Sequence, residues 1–424
     1  MEKVCGADPR CHNQCKLKIY RFDGRKSVWG GECGRYETAR RDVAPAENFF
    51  AVRQKIWAEH MAGICETLSD APLLEADGRP TVGMLRALYG IQTSLLWAHF
   101  FDRLGFRLVL TPPTNEEISK KGIEAVLAET CYPVKVSHGH ARQLVGKTRH
   151  LFMPTPIDMA TPNAAERGFY CPMVQSNTFM IRAALGIGSQ SVLNPSLRFK
   201  SDPETLALDI HEQIGDRLKV GKSQLRDALR HATEKERQFA RALHRRGLDV
   251  LQSLGPDEPL VVVTGRPYNL YDERLNLRLG QSLAKIGMTA LPMDFIDVSG
   301  VDLAEFSSMY WGLGAQILRT AKLISATPHC FGLHLTNFGC GADSFIEHFY
   351  KHIMGGDKAS LILELDEHSA AAGVMTRLEA YRHVIGNSLR KNQRPKPALR
   401  RAGWRNPQPA GTAPRETVMA VCSK

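Results

Sequence analysis

One short run, Pro259-Leu260-Val261-Val262-Val263-Thr264, limits what this chain can fold into more than any other segment. It holds no charged side chain and is closed at once by Gly265-Arg266-Pro267. An apolar run of that length, bounded by glycine and proline, reads as a strand covered on both faces, and such strands belong to parallel sheets flanked by helices. The same rhythm recurs along the chain. Residues 81–88, 107–110 and 151–153 read as strands, with helices over 94–104 and 116–129. Beyond the buried run, the pattern predicts helices at 275–286, 310–321, 343–353 and 374–389, and strands at 289–291, 333–335 and 360–364. Strands alternating with helices of this length make an α/β fold.

At 424 residues the chain exceeds the size at which single hydrophobic cores stop growing, so it reads as two lobes. The first α/β lobe spans 46–200, beginning with an amphipathic stretch from 46 to 68, and the second spans 256–390. Residues 201–255 break the rhythm. Their charged, almost strand-free pattern (Ile210, Ile214, Leu218; Leu225, Leu229; Phe239, Leu243) predicts a connector of two or three helices.

Chemistry concentrates in cysteine. Cys131 stands before Tyr132-Pro133, Cys171 before Pro172, and Cys340 between Gly339 and Gly341. Proline fixes the backbone and glycine lets it pass close to a bulky object, so the three loops look shaped to bring sulfur to one point. Three thiolates on three loops point to one iron–sulfur cluster; the alternative is three unrelated buried thiols. In open α/β sheets, sites lie at the carboxyl ends of strands, where Arg266 and Cys340 both fall. The Gly265-Arg266-Pro267-Tyr268-Asn269 turn would also suit an anion such as phosphate. Lys135, His138 and His140 follow Cys131 closely, and are candidates for proton donors or positive charge beside it, or simply solvated basic residues. Asp343 and Ser344 read as caps of the helix after Cys340. Cys65 and Cys330 read as core residues, and Cys422 as an accident of the tail.

The first 45 residues form a cysteine-rich, metal-binding head with Cys5, Cys11, Cys15 and Cys33 as ligand candidates. Such short, glycine-punctuated sequence has no core of its own and calls for a metal to order it. The spacing is looser than the paired CxxC knuckles of a zinc ribbon, and zinc or a second iron–sulfur cluster both fit.

A chain this long needs no disulfides, and neither a signal peptide nor a membrane-length apolar run is visible. The ten cysteines are therefore more naturally metal ligands than bridges, and the protein reads as soluble and cytoplasmic. The net charge of +11 lies mostly in the tail, residues 391–424, where the segment from Arg390 to Arg405 carries seven Lys/Arg and no acid among prolines. That composition reads as a disordered, solvated basic tail and disfavours a specific contact with nucleic acid or membrane.

Taken together and in order, Cys131-Tyr132-Pro133-Val134-Lys135 with His138-Gly139-His140, the Cys171-Pro172 pair, Gly265-Arg266-Pro267-Tyr268-Asn269, and Asn337-Phe338-Gly339-Cys340-Gly341-Ala342-Asp343-Ser344-Phe345 resemble the activase-related proteins of the 2-hydroxyacyl-CoA dehydratase superfamily. These are relatives of the dehydratase cluster subunits and the double-cubane cluster proteins. The likeness runs from the head to about residue 390.

The resemblance implies two flavodoxin- or Rossmann-like lobes holding a [4Fe-4S] or double-cubane cluster on Cys131, Cys171 and Cys340. It implies an electron-accepting component served by a separate ATP-hydrolysing activase, in systems that put one low-potential electron onto a 2-hydroxyacyl-CoA. The head resembles the family's at Cys11, Asn13, Cys15 and Cys33 but departs upstream, where many relatives place a cysteine at the position of Asp8. No G-x-x-x-x-G-K-[ST] signature is present, so the ATPase is expected on another polypeptide. The cross-class alternative is a non-catalytic scaffold or assembly protein stabilised by a cluster or by zinc. The sequence leaves substrate and oligomeric state open.

Overall fold

The structure, a computed structural model, describes residues 2–6, 15–22, 25–30, 44–255, 257–356 and 358–391. The buried run forms the strand Leu260–Gly265, every residue of which is buried. It pairs in parallel with Ala290–Pro292 on one side (Val261 opposite Ala290) and with Cys330–Asn337 on the other (Gly265 opposite Leu335). Ser360–Leu365 closes the four-stranded sheet beyond Cys330–Asn337. The chain runs from the first of these strands to one neighbour and then crosses to the other, so the strand order reverses between Leu260–Gly265 and Cys330–Asn337.

The first lobe repeats the plan. Its parallel path runs Val192–Leu193, His150–Phe152, Arg79–Met84, Arg107–Leu110, Cys65–Thr67, with Glu75–Ala76 paired antiparallel to Arg79–Met84. Here the order reverses between Arg79–Met84 and His150–Phe152. Both sheets are α/β and parallel, as the apolar runs require. The two lobes share a main core, to which Val82 and Leu108 of the first sheet and Leu260, Val262 and Leu291 of the second all belong.

Element ends differ from expectation where the backbone signal is silent. The 81–88 strand stops at Met84, and the following helix, Tyr89–Arg103, starts early behind Leu88, which has φ 45° and makes no side-chain cap. The 275–286 helix is shortened to Leu279–Lys285, because Leu277 and Arg278 both take left-handed φ values of 53° and 56°. Neither residue type advertises such a turn.

The connector has the expected helices: Pro203–Ile210 behind an Asp202 cap, a π turn His211–Gly215, the short Asp216–Leu218, and the 32-residue Lys222–Ser253. The stretch from residue 46, read with the first lobe, packs on both: its end, Cys65–Thr67, is the edge strand of the first sheet, and its start lies along the second lobe. Ala46 N–H donates to Ala284 O (2.9 Å), and Asn48 forms an isolated bridge with Ala290 before capping the helix Phe49–Met61. From that helix Arg53 donates to Asp294 (2.6 Å) and stacks 3.5 Å over Tyr271.

The described part of the head is regular: Glu2–Val4, Lys16–Phe22 and Arg25–Trp29 form a three-stranded antiparallel sheet. The alternation Lys16-Leu17-Lys18-Ile19 already carries the period of a strand, with Leu17 buried between exposed lysines. Cys11, Cys33, Cys422 and the basic tail from 392 lie outside the described residues. No helix among the described residues is long and apolar enough to cross a membrane.

Candidate functional site

Cys131, Cys171 and Cys340 occupy the same local position three times over: each is the N-cap of a helix, at Tyr132–Leu144, Pro172–Gln175 and Gly341–Met354, and none makes a side-chain cap. Proline at the first turn of the first two helices costs no hydrogen bond, because that N–H has no intrahelical acceptor. In the third, Gly339 takes φ 72°, which only glycine adopts freely, and turns the chain so that Cys340 N–H donates to Asn337 O (3.1 Å). A thiol at such a cap sits at the positive end of a helix dipole, the setting in which thiolates are stabilised.

The helix behind Cys131 is seated by close backbone approach to Glu116–Ala125. A Cβ on Gly139 would strike the Ile118 carbonyl oxygen, and one on Gly122 would strike that of Lys135. The Cys131 and Cys171 loops touch through Thr130, whose Oγ1 reaches Met173 Sδ at 3.8 Å.

The three thiols share one electrostatic neighbourhood although they come from both lobes. Burial pushes the Cys131 thiol up, opposed by the Val134 N–H, and after these the charges of Cys171 and Arg266 act on it. Burial pushes Cys340 up to about 12, with Asp343 adding to the rise, Arg266 opposing it and Cys131 adding again. Arg266 in turn feels Cys340 and Cys171, and Tyr268 feels Cys340 and Cys131.

Arg266 is the centre of this group. It caps Pro267–Tyr271 at the end of the buried strand, 1 % exposed, and its Nε donates to Asp343 Oδ1 at 2.8 Å. The Thr336 hydroxyl donates to Asp343 Oδ2, also at 2.8 Å. Burial works against the Arg266 charge, and Asp343 with its neighbours more than offsets it, holding the guanidinium protonated. One expectation changes here. Asp343 does not cap the helix: the N-cap position is that of Cys340, which makes no side-chain cap, while Ser344 Oγ donates to Cys340 O (2.9 Å). At the Arg266 turn the guanidinium is buried against a carboxylate.

Lys135, His138 and His140 are buried, so they are not solvated residues. Lys135 Nζ pairs with Glu129 and with Glu367 (2.6 Å), the second pair joining the lobes. Burial works to lower its pKa, but the two carboxylates override it and raise it. His138 bonds through Nδ1 to Val134 O (2.8 Å), and burial pulls its pKa down. His140 lies between Thr111 (2.6 Å) and Thr114 (2.9 Å), Thr114 donating onward to Asp272 of the second lobe. Burial, then Arg86, lowers its pKa to about 3, so it is neutral. The charges that act most on the Cys131 thiol are those of Cys171 and Arg266.

In the head, Cys5 and Cys15 face each other at the end of the hairpin ladder, Cys5 N–H donating to Cys15 O at 2.9 Å. Cys330 is buried, and Cys65, partly buried, packs against the main core.

Among the described residues, no group of three or more His, Cys, Asp or Glu side chains is placed to hold a metal ion. A single ion needs ligands gathered around one point, whereas a cluster spreads its cysteines over several irons. Arg266, whose charge acts on Cys131 and Cys340, keeps Nη2 buried without a hydrogen-bond partner, a donor that an anionic group of that kind would satisfy; both polar side-chain atoms of Asn269, three residues on, are likewise buried and unpartnered. Asn269, 1 % exposed, and the Arg266–Asp343 pair were missed by sequence reasoning. The only signal was general: a buried arginine needs a counter-charge, and the sequence does not say which residue supplies it.

A family model described as CoA enzyme activase uncharacterised domain (DUF2229) matches residues 81–296. No curated protein matches the chain. Among solved structures, the periplasmic zinc-binding protein TroA from Treponema pallidum is 12% identical with a TM-score of 0.21, the match covering 74% of this chain and 99% of that one. Glucosamine-6-phosphate deaminase from Thermotoga maritima is 6% identical with a TM-score of 0.16, covering 80% and 95%. At these scores neither likeness carries an argument.

Proposed function

Because the chain belongs to the CoA enzyme activase uncharacterised domain family, we propose that it is the iron–sulfur, electron-accepting component of an ATP-dependent two-component reductase or dehydratase. Its partner is a separate ATP-hydrolysing activase, and its substrate class is 2-hydroxyacyl-CoA. What supports this reading is that Cys131, Cys171 and Cys340 each stand at a helix N-terminus, and that their charges couple to one buried arginine closing a strand where the second sheet reverses its order.

A cluster bound there supplies one-electron reduction at low potential. The chain's own residues supply the rest. Three cysteines furnish the sulfur; Gly339 and the prolines set the loops. Arg266, held by Asp343, offsets negative charge in a site where burial makes charge costly. Exposed large apolar side chains lie near two of the cysteines in sequence, Phe338 and Phe345 around Cys340 and Met173 after Cys171. Apolar surface beside an electron-accepting site suits the docking of a protein donor.

The test is anaerobic purification with iron, sulfide and zinc analysis, followed by ATP turnover with and without an activase. Iron and sulfide are expected, with negligible ATPase activity from the chain alone and reduction only with activase, ATP and a strong reductant together. Zinc without sulfide would instead favour a scaffold, and robust catalysis without nucleotide would overturn the two-component reading.

A further inference from the structure

Burying an arginine without full hydrogen bonding is costly, so each unpaired donor on it calls for a reason. Arg266 spends Nε on Asp343, whose other oxygen is taken by Thr336, and keeps Nη2 without a partner. The carboxylate thus fixes the guanidinium through Nε and leaves Nη2 unpaired, on a side chain whose charge acts on Cys131 and Cys340. The pair is built into the sheet reversal: Arg266 ends one strand, and Asp343 lies three residues beyond the cysteine that follows the adjacent strand.

We propose that Arg266 is the fixed cation of the three-cysteine site, a positioning residue that holds an anionic cluster by its free Nη2 and raises its reduction potential, with Asp343 as the opposing charge. The inference rests on the cluster reading above. A fixed positive charge favours the more negative, reduced state, and a fixed negative charge disfavours it. The two residues therefore act with opposite sign on the potential while sharing one structural role. Loss of packing would move both variants the same way; electrostatic control separates them.

The experiment reconstitutes the full chain anaerobically with iron and sulfide and measures iron content and the midpoint potential by spectroelectrochemical titration. Relative to the parent chain, Arg266→Gln should lower the midpoint, Asp343→Asn should raise it, and the double variant should lie between the two. Arg266→Lys, which keeps the charge, should stay closer to the parent than Arg266→Gln. An Arg266→Gln chain with full iron and an unchanged midpoint overturns the inference. If that variant does not fold, Asp343→Asn decides: a raised midpoint supports the inference, and an unchanged or lowered one overturns it. A parent chain that takes up no iron or sulfide overturns the cluster reading itself, and this inference with it.

Discussion

Gly139→Ala tests whether the seat of the Cys131 helix is set by backbone contact. An added Cβ at this position meets the Ile118 carbonyl oxygen, and the reciprocal Gly122 faces the Lys135 carbonyl. Alanine is better than glycine in a helix interior by about 1 kcal/mol. Overpacking costs about 1–3 kcal/mol where side chains can yield. Here the obstacle is main chain, so the helices Glu116–Ala125 and Tyr132–Leu144 must part, uncovering Ile118, which is fully buried between them. Setting the upper part of the packing cost against the propensity gain leaves a net loss of about 2 kcal/mol. Urea unfolding of the metal-free chain, followed by far-UV circular dichroism, should show a lower midpoint at unchanged slope. Gly386→Ala is the control, because this helical glycine has nothing within 4 Å of an added Cβ. It should stabilise by about 0.5–1 kcal/mol. The Gly122→Ala, Gly139→Ala double variant should cost less than the sum of the two, since helices already parted do not clash twice. If Gly139→Ala stabilised the chain as Gly386→Ala does, the argument from close approach would be refuted.

Cys131→Ala, Cys171→Ala and Cys340→Ala should each abolish the same low-temperature EPR signal and most of the iron, because a cubane left with two protein thiolates degrades; a variant with full iron and an unchanged spectrum is not missing a ligand. A chain beginning at Ala46, without Cys5, Cys11, Cys15 and Cys33, should keep the iron of the three-cysteine site, since ligands on separate folding units uncouple; loss of all iron would show that head and core share one metal site. The depressed pKa of His140 means that the unfolded chain binds more protons than the folded one between pH 6.5 and about 3. Its contribution is fully present above pH 6.5 and drains as the solution is acidified, by up to about 1.4 kcal/mol per pH unit. His140→Gln should flatten that slope in urea titrations across this window, and an unaltered slope would place the acid sensitivity elsewhere.

The parallel α/β architecture was legible because the strand at Leu260–Gly265 has no other way to bury both faces, and the helices around it carry their own periodicity. The three cysteine loops stood out for a local reason, proline or glycine near each cysteine, but the helices that start at Cys131 and Cys171 were not read from it. What could not be read was the choice of partners across the fold. Asp343 has the sequence context of a helix cap, and only the adjacency of two strand ends makes it the counter-ion of Arg266. Lys135, His138 and His140 share a short segment of sequence, yet Lys135 pairs with Glu367 and His140 connects through Thr114 to Asp272, residues far along the chain in the other lobe. Leu277 and Arg278, in left-handed turns, gave no warning at all.

The scattering of the three thiols along the chain has a consequence for how the protein is made. Cys131 and Cys171 are synthesised with the first lobe, but Cys340 follows the third strand of the second, after the long Lys222–Ser253 helix and the reversal of strand order. A ribosome that has delivered the first lobe has delivered two thiols and no third, and the arginine that balances them is also still to come. The arrangement is therefore complete only when both sheets have formed and met. If the site holds the proposed cluster, three-cysteine ligation requires both lobes to be in place.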